Sequence, residues 1–163
     1  AYKDGITKLN NKNYLLETLN LVVIESSIHF SLLMIGFNNY RMEDDYHQYN
    51  ISKDILTHIA YNLINLNQER YEIGFYTGDI FYALLDHSDD ATTFSNNIVD
   101  LYGEPVTIDS LSLDLSIHVG IYDFVYGTSA LDTLSYAEIA MYQARKDKDM
   151  GYTTFSEDLL KTL

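Results

Sequence analysis

The segment Thr77-Gly78-Asp79-Ile80-Phe81 places a carboxylate at a glycine-containing turn, where a side chain can hold a cation or meet a phosphate. Short apolar runs at 73–76 and 80–85 flank it and predict the two strands of a hairpin. Gly78 suits a turn position with positive φ. Asp79 is a weak candidate for a metal ligand, and a solvated turn aspartate that favours hairpin geometry is the simpler interpretation.

A second chemically capable group is Asp44-Asp45-Tyr46-His47, which contains two carboxylates and an imidazole. Adjacent residues on a helix do not face one another, and no second histidine stands at metal-site spacing. A charged helix start is therefore favoured over a metal site. The remaining histidines are scattered along the chain, and we assign His118 to a strand without a role. Tyr82, Tyr122 and Tyr142 are expected in the core or at an interface.

Composition narrows the classes of function. The 163 residues carry a formal net charge of −14 and no cysteine. The negative charge disfavours nucleic-acid binding, although a local nucleotide site stays open. Without cysteine there is neither a disulfide nor a thiolate metal site. No apolar run reaches the roughly 20 residues of a membrane helix, and no signal peptide opens the chain. We expect a cytoplasmic domain without membrane contact, and the start at Ala1 suggests a piece of a longer protein.

Apolar periodicity predicts alternating helices and strands within one domain, residues 1–163. The predicted helices are 10–27, 51–66, 88–102 and 129–146, and the predicted strands are 30–37, 73–76, 80–85, 113–122 and an edge strand at 152–155, with a weaker strand near Val106. A helical connector is expected from Ser156. This order predicts an α/β (α+β) sandwich of ferredoxin-like type, with helices flanking a mainly antiparallel central sheet.

Four stretches of this pattern resemble the GGDEF family, whose fold is that of the diguanylate cyclases, and the resemblance covers nearly the whole chain. The last of them is the most specific. They are the entry motif Asp4-Gly5-Ile6-Thr7-Lys8-Leu9-Asn10-Asn11, the signature turn within Phe75-Tyr76-Thr77-Gly78-Asp79-Ile80-Phe81, the strand Ser116-Ile117-His118-Val119-Gly120-Ile121 and the helix Tyr136-Ala137-Glu138-Ile139-Ala140-Met141-Tyr142-Gln143-Ala144-Arg145. The resemblance implies a nucleotide-cyclase-like fold and a place in cyclic di-GMP signalling.

The resemblance also implies where the catalytic groups of the family would stand. Joining two GTP molecules requires divalent metal ions held by carboxylates. Gly36 stands where the family has a metal-binding aspartate, so that ligand is lost. Asp79 retains the acid of the signature turn, but Ile80 replaces the acid that follows it, and Thr77 replaces the first glycine.

Nucleotide contacts implied by the resemblance are altered as well. The guanine-reading positions hold Asp44 and Lys53, of which a lysine cannot accept a hydrogen bond. On the last helix Arg145 retains a positive charge for phosphate, whereas Asp149 reverses the second charge. The product-inhibition motif of the family, Arg-x-x-Asp, is replaced at Gln68 and Tyr71, and we do not predict that site.

The resulting hypothesis is a non-catalytic domain without a cofactor. It would regulate a linked or partner signalling domain, for example an EAL phosphodiesterase, through homodimer contacts or conformational relay. The alternative is a GTP-sensing allosteric module that binds GTP with Mg²⁺ through Asp44, Asp79 and Arg145. A residual diguanylate cyclase is the third hypothesis, and Ile80 is the main residue against it.

Overall fold

The computed structural model describes residues 2–41, 52–86, 90–147 and 150–162. The helices are α1 (Lys12–Val22), α2 (Lys53–Asn67), α3 (Ala91–Val99) and α4 (Ala130–Lys146), and the strands are β1 (Ser31–Arg41), β2 (Glu72–Thr77), β3 (Ile80–Leu85), β4 (Val106–Ile108), β5 (Leu111–Asp123) and β6 (Tyr152–Thr154). Short 3₁₀ helices cover Asp100–Tyr102 and Glu157–Thr162.

The strands form one sheet in the order β2-β3-β1-β5-β4, and all these neighbours are antiparallel. β6 pairs with β5 in parallel. It lies along the same edge of β5 as β4, on the side away from β1. Helices α1 and α4 pack on one face of the sheet and α2 and α3 on the other. The predicted α/β sandwich with a mainly antiparallel sheet is therefore confirmed, as is the edge strand near residue 152.

Strand β1 is apolar on both sides because helices cover both faces of the sheet. Leu33, Ile35 and Phe37 belong to the core under α2 and α3, whereas Leu32 and Met34 belong to the core under α1 and α4. All five are at most 1% exposed. Alternate residues of the strand thus serve opposite cores, which explains the continuous apolar run in the sequence.

Three helices begin at polar caps. The side chains of Asn11, Ser52 and Ser129 each accept a hydrogen bond from the backbone N–H three residues later, at 3.1, 3.2 and 3.0 Å. Such caps satisfy N–H groups that the first helical turn leaves without partners. The sequence Ser88-Asp89-Asp90 predicts a cap for α3 as well, but Ser88 and Asp89 lie outside the described residues. Asp90 is the N-cap residue of α3, and its side chain makes no cap hydrogen bond.

The prediction for α1 was too long at both ends. Asn10 forms a bridge to β2 instead of a helical turn, and the helix ends at Val22 rather than Ser27. Consecutive β-branched residues, from Val22 to Ile24, lose side-chain freedom in a helix. Ile24 is exposed there and gains no packing in return.

Three tyrosines were expected in the core or at an interface, and two of them are buried. Tyr82 and Tyr122 are buried, as expected, but Tyr142 is 47% exposed and does not belong to the core.

Strand β1 extends past its predicted end, through Asn38 to Arg41, because β5 pairs with it over that whole length.

Candidate functional site

The β2–β3 turn carries the signature segment. Strand pairing runs to Phe75 opposite Phe81, and a bulge then brings Thr77 opposite Ile80. Gly78 has φ 53°, which confirms the predicted glycine conformation. Ile80 is only 6% exposed and belongs to the core under α1 and α4. The Ile80 side chain therefore anchors the hairpin in this core. The Asp79 side chain remains partly accessible to solvent.

The entry motif fastens the start of the chain to this hairpin. Asp4 accepts hydrogen bonds from the backbone N–H and the hydroxyl of Thr7, at 2.7 and 2.8 Å. Asn10 donates to the Glu72 carboxylate at 2.7 Å, and its backbone oxygen accepts from the N–H of Phe75 at 2.9 Å. Asn10 thus holds β2 through polar contacts at its first residue, Glu72, and at Phe75.

Gly36 faces a filled space. It lies on β1 between Ile80 of β3 and His118 of β5. A Cβ atom at Gly36 would lie 2.5 Å from Nε2 of His118 and 3.0 Å from Sδ of Met141. Any side chain at this position would have to displace the imidazole or the methionine. The His118 ring therefore occupies the space that a side chain at Gly36 would need.

Arg145 joins His118 to the hairpin. Its Nε donates to Nε2 of His118 at 3.0 Å, and a terminal nitrogen of the guanidinium lies 3.5 Å from Oδ2 of Asp79. Because Nε2 accepts this hydrogen bond, the imidazole is neutral and carries its proton on Nδ1. The three side chains come from β5, α4 and the β2–β3 turn, so they connect three elements of the fold.

The environment of His118 disfavours its charged form. The residue is 4% exposed. Burial first, and the neighbouring Arg145 cation second, lower the pKa of His118 to about 4. At neutral pH the ring therefore stays an acceptor for the guanidinium. Sequence reasoning assigned this residue no role, because its significance depends on the β1–β5 register that sets it opposite Gly36.

Beside this group, Tyr76 and α1 form a second contact to the hairpin. The ammonium group of Lys12 lies 5.0 Å from the centre of the Tyr76 ring, within the range of a cation–π interaction. Burial, followed by a hydrogen bond with Glu138, raises the pKa of Tyr76. The phenol therefore stays neutral at any physiological pH.

Among the described residues, three other predicted positions, Lys53, Gln68 and Tyr71, make none of the contacts of this group. Asp44 and Asp149 lie outside the described residues, and Lys53 is exposed at the first position of α2. Gln68 ends α2 in the left-handed conformation, and the Tyr71 hydroxyl donates to Asp90 at 2.7 Å. In the described part of the chain, no three histidine, aspartate or glutamate side chains come together as a metal site would require.

Comparison with known proteins identifies the family of this chain. Residues 1–150 match the family described as "Diguanylate cyclase, GGDEF domain". The chain belongs to the GGDEF family. This GGDEF domain is 24% identical over 164 residues to the signaling protein YkoW of Bacillus subtilis, a match covering 96% of the chain and 20% of YkoW. The chain thus spans about a fifth of that relative.

Solved structures show the same fold. The GGDEF domain of PA1120 (TpbB or YfiN) from Pseudomonas aeruginosa superposes with a TM-score of 0.80 at 19% identity, covering 98% of both chains. A diguanylate cyclase/phosphodiesterase from Caldicellulosiruptor saccharolyticus gives 0.75 at 18% identity, covering 94% of this chain and 93% of the other. Within its described residues, this GGDEF domain contains no helix long and apolar enough to cross a bilayer.

Proposed function

We propose that this GGDEF domain does not synthesise cyclic di-GMP and acts as a regulatory module in cyclic di-GMP signalling. The observation that carries the proposal is the filled space beside Gly36. The family resemblance implies a metal-binding aspartate at this position, and here the His118 ring and Met141 stand where its side chain would begin.

The carboxylate of Asp79 already has a positively charged partner within the protein. Asp79, which the resemblance implies as a metal ligand, has the Arg145 guanidinium at 3.5 Å. A divalent cation at Asp79 would have to approach that positive charge, and like charges at a few ångströms repel. Ile80, in the position of the second acid of the turn, is buried in the core and can neither bind a metal nor transfer a proton.

The regulated partner is a linked or separate signalling domain, and an EAL phosphodiesterase is our specific candidate. Two observations support this. The chain spans only a fifth of YkoW, which is named a signaling protein. A structural relative is named a diguanylate cyclase/phosphodiesterase. Homodimer contacts are the route that we propose for the regulation, with no cofactor required.

A GTP-sensing module is the second candidate. Its support is the position of Arg145, whose side chain is 35% exposed beside the partly exposed Asp79. A triphosphate could reach the guanidinium from solvent, with Mg²⁺ bridging to Asp79 and with Asp44 reading the base. This candidate requires Arg145 to exchange a protein partner for a phosphate.

The first experiment incubates the purified domain with GTP and either Mg²⁺ or Mn²⁺ and follows product by chromatography. We expect no cyclic di-GMP from the domain or from the Ile80→Glu variant, because Gly36 still supplies no ligand. Product from the unaltered domain would refute the proposal. Product from Ile80→Glu alone would refute the argument based on Gly36.

The second experiment separates the two candidates by thermal shift with GTP, GDP and cyclic di-GMP, with and without Mg²⁺. A ligand at about 100 times its Kd stabilises the folded state by roughly 2.7 kcal/mol, which is about 5–10 °C in a domain of this size. The regulatory proposal predicts no shift with GTP. A Mg²⁺-dependent shift that disappears in Asp79→Asn would establish the sensing module instead.

A further inference from the structure

Strand β5 has an interrupted outer edge. β4 pairs with residues 111–113 and β6 pairs with residues 119–121 on the side opposite β1. Residues 114–118 lie between these two partners, and we call them the gap edge. At about 3.4 Å per residue, the gap edge is roughly 17 Å long.

The main chain of the gap edge offers hydrogen-bonding groups to an additional strand. Outside the gap, the N–H of Val119 donates to Gly151 at 2.9 Å, and the carbonyl of Ile121 accepts from Phe155 at 2.7 Å. Alternate residues of a strand point these groups to the same side, so Leu115 and Ile117 direct theirs to the gap. Among the described residues, neither makes a backbone hydrogen bond to β4, β6 or a loop on that side.

A cavity of about 700 Å³ opens at the gap edge. It is bordered on one side by the end of α3 and the following 3₁₀ turn, with Val99 and Tyr102, and on the other by the end of α4, with Arg145. The described residues that border the cavity lie on both faces of the sheet, so the cavity reaches around the sheet edge.

The charge at this opening is negative. Asp100 and Asp114 border the cavity and are exposed. Arg145 also borders the cavity and, among the described residues, already has Asp79 and His118 as partners. The whole chain carries a net charge of −14. At this opening an acidic segment would be repelled, whereas a basic segment would be attracted.

We propose that the gap edge binds an extended, basic peptide segment as an added strand between β4 and β6. Addition of a strand to an open sheet edge gains affinity from main-chain hydrogen bonds, and the flanking side chains select the sequence. Here Leu115 and Ile117 supply the main-chain groups, and Asp100 and Asp114 select for lysine or arginine. The cavity shares His118 and Arg145 with the Gly36 site, but the main-chain groups of Leu115 and Ile117 lie outside that site, and the proposal does not depend on the absence of cyclase activity.

The test uses a labelled peptide of about five residues with alternating lysine and valine, the length of the gap, because β4 and β6 occupy the edge on either side of it. Fluorescence anisotropy measures its binding to the whole 163-residue chain. One control peptide carries glutamate in place of lysine. Another keeps the lysines but has N-methyl groups on alternate backbone nitrogens, which removes the hydrogen bonds while leaving the charge.

We expect saturable binding of the lysine peptide, weakened about tenfold or more in Asp100→Lys/Asp114→Lys because both charges are reversed. The matched variant Glu25→Lys/Glu157→Lys changes two exposed acids outside the cavity and should bind nearly as the unaltered chain does. Neither control peptide should bind. Hydrogen exchange at the amides of Leu115 and Ile117 should slow in the complex.

Three results would overturn the proposal: equal binding of the N-methylated peptide, equal loss in the Glu25/Glu157 control, or unchanged exchange at both gap-edge amides. Each would indicate a diffuse electrostatic contact rather than strand addition. If the double reversal fails to fold, as judged by its thermal transition, Asp114→Asn replaces it with a smaller expected loss. The cyclase assay is independent, so either proposal can fail alone.

Discussion

The buried neutral ring of His118 should make folding stability depend on pH. The pKa of His118 is about 4 in the folded chain and close to 6.5 in an unfolded chain. Because the folded pKa is the lower one, the unfolded state binds the proton more readily. The contribution of His118 is therefore fully present above pH 6.5, falls as the pH falls, and is lost near pH 4.

The size follows from the same two values. A difference of about 2.5 pKa units at 1.36 kcal/mol per unit gives roughly 3 kcal/mol over the whole range. Between pH 7 and pH 5 the loss should be about 2 kcal/mol in the free energy of unfolding. Burial also lowers the pKa of His58, so that residue adds a loss of the same sign, and comparison with a variant is needed to isolate His118.

The variant is His118→Gln, which does not titrate and can still accept a hydrogen bond from Arg145. Urea unfolding at pH 7 and pH 5 gives the stability change of each protein. The unaltered chain should lose about 2 kcal/mol more than the variant over this interval. His29→Gln, at an exposed histidine, should behave as the unaltered chain does. An equal loss in the chain and in His118→Gln would refute the assignment of a neutral, buried imidazole.

Three further outcomes follow from contacts of the structure. Gly36→Ala should lower the free energy of unfolding in urea by about 1–3 kcal/mol, because the new methyl group meets His118. Gly5→Ala, with no atom within 4 Å of the new methyl group, should change that free energy little. Equal effects of the two variants would contradict the filled space beside Gly36. Gly36→Asp/His118→Ala should be more stable than Gly36→Asp alone, since removing the ring makes room, and a double-mutant cycle without coupling would contradict this. Ser129→Ala should cost about 1 kcal/mol through loss of the α4 cap, while Ser135→Ala, within the exposed face of α4, should not.

The fold was largely predictable because its signals are local. The buried strand β1 appears in the sequence as an unbroken apolar run, and the β2–β3 turn as a glycine between two short apolar segments. Both were confirmed. The length of α1 was not, since its end depends on whether packing compensates the β-branched residues after Val22, and packing is a property of the whole fold.

The candidate site was predictable only in part, for a similar reason. Asp79, Gly36 and Arg145 could be selected from the family resemblance, residue by residue. His118 could not, because its contact with Gly36 depends on the pairing of strands more than 80 residues apart in the chain. Only the strand register shows that a glycine on one strand lies opposite a large ring on the neighbouring strand.

Arg145 contributes to the position of the hairpin through contacts at both ends of its guanidinium. Its ion pair with Asp79 is partly exposed at 3.5 Å, and such pairs contribute about 1 kcal/mol or less. The bond from Nε to the buried His118 fixes the other end of the same guanidinium, so less side-chain entropy remains to be lost when Asp79 is engaged. The signature turn is thereby linked to α4 and β5 by the protein alone.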